Sequence, residues 1–169
     1  MARRRSNFDP TPPKTTDELG FLLSQVASHA STRFTERLEP LGFKPAHVGI
    51  LSVIREADGL SQQALGERLG IFASRLVGVI DEMEARGLVE RRNSPTDRRS
   101  YALYLTEAGR IAFEQIGKVS HEHQDDIFSS LSDAEKNYMA GLLNRIAAQQ
   151  GLKPGVHPSL RKIDAADVN

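Results

Sequence analysis

From residue 60 to residue 105 the chain carries, in order, a short helical pattern, a tight turn, a second helical pattern, a β-prone run, a polar loop rich in arginine and a second β-prone run. That order specifies a helix-turn-helix followed by a hairpin. In the second helical pattern, residues 72–86, Leu76, Val79, Ile80 and Met83 recur at i, i+3, i+4 and i+7 and therefore share one face, which is the core face. At about 100° per residue the opposite side carries Ser74, Gly78, Asp81 and Ala85, flanked by Arg75 and Glu82. Small polar residues there let the helix enter a groove closely. The preceding pattern, residues 62–69, has Ser61 as its N-cap, Leu60 and Leu65 as a hydrophobic staple, and Gly70 as its stop. Two short helices joined by a tight turn, the second offering its first turns outward, match the docking of a helix in the major groove of DNA.

The next segment narrows the reading. Residues 88–92 and 101–105 are short β-prone runs, the second alternating Tyr101, Leu103 and Leu105 against Ala102 and Tyr104, so they are expected to pair as a hairpin. The intervening loop, residues 93–100, contains Pro95 and places Arg98 and Arg99 side by side near its tip. A projecting arginine of this kind suits the negative potential of a minor groove, Arg91 and Arg92 stand where phosphates would pass, and Asp97 is placed to orient a neighbouring guanidinium.

Three pieces of this stretch are more specific: Glu84-Ala85-Arg86-Gly87-Leu88-Val89, the wing pattern Asp97-Arg98-Arg99, and Leu105-Thr106-Glu107-Ala108-Gly109 opening the next helix. With them the chain resembles the MarR (multiple antibiotic resistance regulator) family, over roughly residues 19–150. The resemblance implies a mainly α fold with a small two- to three-stranded antiparallel wing, and terminal helices that pair two subunits. Two-fold symmetry then presents two recognition helices to a pseudo-palindromic site. The chain also departs from the family, which often has an acidic or polar residue at position 72, a hydroxyl at 75 and basic residues at 78 and 82, where this chain has Phe72, Arg75, Gly78 and Glu82. Arg75 suits either a bidentate contact to guanine or a phosphate, and Glu82 stands four residues before Arg86, the spacing of an intrahelical ion pair.

Composition bears on mechanism. Across 169 residues the formal net charge is zero, which runs against strong nonspecific DNA binding and leaves salt-dependent affinity to a few local arginines. The absence of cysteine excludes disulfides, thiolate zinc sites and the cysteine-based peroxide sensing of one family branch, and the absence of tryptophan weakens the likeness to the urate-responsive branch. No apolar run approaches 18 residues and the basic start lacks the apolar stretch of a secretory signal, so a cytoplasmic protein without a membrane partner is expected. Neither a nucleophile elbow, a phosphate-binding glycine loop nor a zinc-protease spacing occurs, which argues against an enzyme and requires no cofactor.

The remaining chain reads as amphipathic helices. Thr15 and Glu18 suit a capping box before Leu19, Leu22, Leu23 and Val26; Pro45 opens a helix with Val48, Leu51 and Ile54 inward; Thr106 caps one carrying Ile111, Ile116, Val119 and Ile127; Ser132 and Glu135 cap one carrying Met139, Leu142, Leu143 and Ile146. The organisation expected is a flexible tail over about 1–14, one domain over 15–150 and a second tail over 151–169. Within the domain, a winged helix-turn-helix at about 45–105 lies between dimerisation helices at about 15–40 and 106–150. Arg33 falls in the apolar sector of the first helix, where it either snorkels, pairs with an acid, or helps form a pocket. From the family, small aromatic or phenolic anions bind between dimer helices and reading lobe, so the resemblance makes His29, Arg33, His47, Leu51 and Phe113 the candidate pocket. His121 and His123, two apart on a helix, point about 200° from each other and poorly suit one metal ion. The expected function is a homodimeric transcriptional regulator of repressor type, relieved by a small aromatic effector. A metal-responsive regulator and a winged-helix protein-interaction module are the alternatives.

Overall fold

The computed structural model describes residues 17–94, 101–157 and 160. Helix α1 (Asp17–Leu38) runs into a single 3-10 turn (Glu39–Leu41), followed by α2 (Pro45–Glu56), strand β1 (Leu60–Ser61), α3 (Gln62–Leu69), α4 (Ala73–Ala85), β2 (Val89–Asn93), β3 (Tyr101–Leu105), α5 (Glu107–Ile127) and α6 (Asp133–Gln149). The strands form one antiparallel sheet in the order β1-β3-β2. Val89 lies opposite Leu105 and Asn93 opposite Tyr101, while β1 adds the pair Leu60 and Leu103 on the other edge. The chain is thus mainly α with a three-stranded wing.

The helix starts are made by the expected side chains. Ser61 Oγ accepts from the Ala64 N–H at 3.1 Å and Thr106 Oγ1 from the Gly109 N–H at 3.0 Å. At α6 the box closes both ways, Glu135 Oε2 accepting from the Ser132 N–H at 2.7 Å and Ser132 Oγ from the Glu135 N–H. Such caps are each worth about 1 kcal/mol because they satisfy donors that the helix leaves open. The Thr15 pairing expected for α1 lies outside the described residues.

One core joins α2, α3, α4, the sheet and the first half of α5. Ile50, Leu51 and Ile54 meet Leu65 and Leu69, Leu76, Ile80 and Met83, Leu103 and Leu105, and Ile116, all shielded from solvent. At about 1.5–3 kcal/mol per fully buried aliphatic side chain, these contacts hold the lobe that presents α4. The terminal helices differ. Helix α6 has no buried residue and leaves Leu142, Leu143 and Ile146 at 37%, 38% and 45% exposure, while Leu19, Phe21, Leu22, Leu23 and Val26 of α1 are likewise uncovered within the single chain.

Beyond α6 the structure differs from a free tail. Lys153 Nζ donates to the Glu67 carbonyl at 2.9 Å, Val156 packs against the core, and Leu160 is buried over Gly49, where even an added methyl would stand 2.9 Å away. The segment has no periodicity because its few apolar contacts are each made to a different element, a pattern that no helical or strand period reports.

Candidate nucleic-acid interface

The turn between α3 and α4 is short and braced. Gln62 Nε2 donates to the Ala73 carbonyl at 3.0 Å and the Ile71 N–H to the Gly66 carbonyl at 3.0 Å. A side chain at Gly66 would put its Cβ 2.7 Å from the Ile71 carbonyl, so only glycine permits this approach. With Leu76, Val79, Ile80 and Met83 buried, α4 cannot rotate, and its outer side faces solvent: Ser74 and Arg75 are exposed and Gly78 is half-buried between them and the core. The same end exposes two hydrocarbon groups, Phe72 at 78% and Val77 at 44%.

The two arginines of β2 separate in role. Arg91 donates to Asp81 at 2.6 Å and also to Glu84, and its side chain is only 19% exposed. It therefore pins the hairpin to α4 and takes a different role from the phosphate contact expected of it, because approaching a phosphate would strand two carboxylates. The register places β2 beside α4, a proximity that residue spacing alone does not report. Arg92 pairs with Glu90 and lies over the Tyr104 ring at 4.6 Å, yet keeps 58% of its side chain exposed on the wing. Asp97, Arg98 and Arg99 lie outside the described residues; the last described pair of the hairpin is Asn93 opposite Tyr101.

The other end of α4 is fastened to the turn before α2. Arg86 donates to the Gly42 carbonyl at 2.9 Å, stacks over the Phe43 ring at 4.5 Å and pairs with Glu82 at 3.3 Å, the intrahelical pairing expected from the spacing. Glu82 also faces His47 Nε2 at 3.5 Å, while His47 Nδ1 accepts from the Lys44 N–H at 3.2 Å. His47 is 2% exposed and Leu51 fully buried, so both are core residues here and not pocket walls. Residues 47 and 51 share a helical face that the sequence allows to be either.

Burial holds the His47 pKa below the ordinary histidine value; the Glu82 carboxylate opposes this, and the Arg86 and Lys44 charges reinforce it. The unfolded chain therefore binds a proton that the folded one does not, between the lowered pKa and about 6.5. Stability is expected to be complete above that range and to decline as pH falls through it. Urea titrations at several pH values check this: His47→Gln should flatten the decline, and an unchanged slope in that variant would assign it to other groups.

The remaining pocket candidates stand apart. His29 is exposed, Arg33 pairs with Glu36 at 2.9 Å on the surface of α1, and Phe113 is half-buried beneath the Arg55 guanidinium. A cleft of about 600 Å³ does lie between α1 and the turn before α2, but Thr32, Thr35 and Glu36 line it from one side and Gly42, Phe43 and Lys44 from the other. His121 faces Asp125 along its own helix, His123 lies against Phe34, and among the described residues no three His, Cys, Asp or Glu side chains converge on a metal-sized space. The sequence reading missed the Arg86 fastening and the exposure of Phe72. The departure at position 72 was the available signal for the second.

This architecture has relatives. The MarR family model matches residues 41–100. A putative transcriptional regulatory protein for the hcr operon of Thauera aromatica is 36% identical over 138 residues, covering 81% of this chain and 83% of that protein. The chain belongs to the MarR family. Among solved structures, the transcriptional repressor CouR bound to a 23-mer DNA duplex superposes with a TM-score of 0.69 at 28% identity, covering 80% of this chain and 99% of that one. CouR from Rhodococcus jostii RHA1 bound to p-coumaroyl-CoA gives 0.65 at 31% identity, covering 80% and 96%. No described helix of this MarR-family chain is long and apolar enough to cross a membrane.

Proposed function

We propose that the protein is a homodimeric, cytoplasmic transcriptional repressor that binds a pseudo-palindromic operator and releases it when a small aromatic or phenolic ligand is bound. The observation that carries this reading is the reading head itself: the outer side of α4 is held outward by a braced turn, in a fold that superposes on a DNA-bound repressor. The uncovered apolar faces of α1 and α6 supply the dimerisation surface. Each α4 enters a major groove with Ser74, Arg75 and Gly78 near base edges, Arg92 beside the backbone, and Arg98 and Arg99 in the adjoining minor groove, with half-sites about 10 base pairs apart. The cleft between α1 and the Gly42–Lys44 turn has the volume of a small-molecule site, and a neighbour of the same fold is solved with an aromatic acyl thioester. A ligand coupling of roughly 1–3 kcal/mol suffices for a 5- to 150-fold change in operator affinity.

Selection of duplexes from a random pool at stated salt tests the reading. An inverted repeat with half-sites one turn apart is the expected product, and a pool in which nothing is enriched would overturn it. On the selected duplex, the double variant Arg98→Ala and Arg99→Ala is expected to weaken binding and to flatten the plot of log affinity against log salt by about 1 for each phosphate interaction removed. Identical affinity and slope in that variant would take the wing arginines out of the DNA interface, whereas a pool in which nothing is enriched would favour a protein-interaction module.

A further inference from the structure

The start of α4 breaks a local rule. Its N-cap is Phe72, with extended backbone (φ −65°, ψ 134°) and no side-chain bond to the open N–H groups, whereas α3, α5 and α6 each begin with a hydroxyl that makes one and α2, whose N-cap is Lys44, has Pro45 in its first turn with one N–H fewer to satisfy. A phenylalanine there gives up the cap that serine, threonine, aspartate or asparagine would make, and at 78% exposure it recovers nothing by burial. Val77 compounds this. It follows Ser74 by three residues, hence sits about 60° round the helix from it, and is 44% exposed on the outward side. A residue such as Phe72 that costs the helix its cap and gains little by burial is expected where a ligand supplies the missing partner.

The ligand follows from place. Phe72 and Val77 flank Ser74 and Arg75 at the end of the helix that the proposed function seats in the major groove, and the apolar group displayed on base edges there is the thymine C5-methyl. We infer that Phe72, assisted by Val77, is a specificity-determining residue that reads thymine methyl groups at fixed positions of each half-site. The inference rests on the DNA-binding reading above and adds to it the chemistry of the bases recognised. Hydrocarbon contact requires no charge, which accords with a chain of zero formal net charge.

Deoxyuridine differs from thymidine only by that methyl and keeps the same hydrogen-bonding edge. In duplexes selected by the full-length protein, each thymine is replaced singly by deoxyuridine, and affinity is measured for the natural chain, Phe72→Ser and Val77→Ala. At one or two positions per half-site the natural chain should weaken about four-fold, the effect of one buried carbon, and a symmetric pair should weaken about sixteen-fold. Phe72→Ser should lose this discrimination while binding the selected duplex and uridine duplex alike, and its thermal midpoint should rise because serine restores the cap. Val77→Ala should reduce the discrimination in part. Equal affinity of the natural chain for all thymine and uridine duplexes overturns the inference, as does full discrimination retained by Phe72→Ser. A fall in the thermal midpoint of Phe72→Ser also overturns it, by showing that the ring packs within the fold. If selection enriches a duplex, failure here leaves the DNA-binding reading standing; if it enriches none, both fall.

Discussion

Replacing Leu142 and Ile146 together by aspartate is expected to leave a folded monomer whose operator affinity is at least about 100-fold weaker. Helix α6 contributes nothing buried to its own chain, so the substitutions remove no contact from the core that holds α4. They place carboxylates on the uncovered apolar face, where closing a dimer would require them to be desolvated without partners. Linked binding of two reading heads exceeds the single interaction by about 10²–10⁴, and that factor disappears with the second subunit. Sedimentation at the concentration used for DNA titration, with circular dichroism to confirm helix content, checks both halves. A variant that stays dimeric would move the interface off α6.

The second large effect is expected at Gly109→Ala, with a loss of about 3 kcal/mol or more. A Cβ at this position would lie 2.0 Å from the Leu88 carbonyl oxygen and 3.0 Å from its carbon. Both are backbone, so no rotamer change relieves the clash, and the usual cost of overpacking a core is about 1–3 kcal/mol even where side chains can yield. The start of α5 cannot slide away cheaply. Thr106 donates through its N–H to the Leu88 carbonyl at 3.1 Å and through its hydroxyl to the Gly87 carbonyl at 2.6 Å, while its oxygen caps Gly109. Denaturant midpoints at one fixed protein concentration measure the effect, since dimer stability varies with concentration. A change below about 1 kcal/mol would mean that the helix start relaxes freely. The site also matters mechanically, because α5 leads from the reading lobe toward the region proposed to pair subunits.

Much of this was legible beforehand, for a physical reason that particular residues show. Ser61, Thr106 and Ser132 cap helices through bonds to residues three positions on, and the Leu76, Val79, Ile80 and Met83 face follows from helical period. Such interactions are decided within a turn or two of chain. The position of Arg91 on the wing strand suits a phosphate contact, but its partners, Asp81 and Glu84, lie ten and seven residues back in the chain and are brought to it by the packing of the hairpin on α4. His47 and Leu51 occupy a helical face that is apolar enough for a core and polar enough for a pocket, and Glu82 on a different helix decides for the core.

By itself, the sequence determined the order of the helices, the starts of α2, α3, α5 and α6, the hairpin, the family and the buried face of the recognition helix, since each rests on short-range periodicity, capping and motif. Tertiary structure alone decided that Arg86 fastens α4 to the Gly42–Phe43 turn, that Arg91 is consumed by two carboxylates, that Phe72 stays uncovered, and that Leu160 returns over Gly49. Each of these depends on which distant segments meet when the core closes, and no local pattern encodes such a meeting.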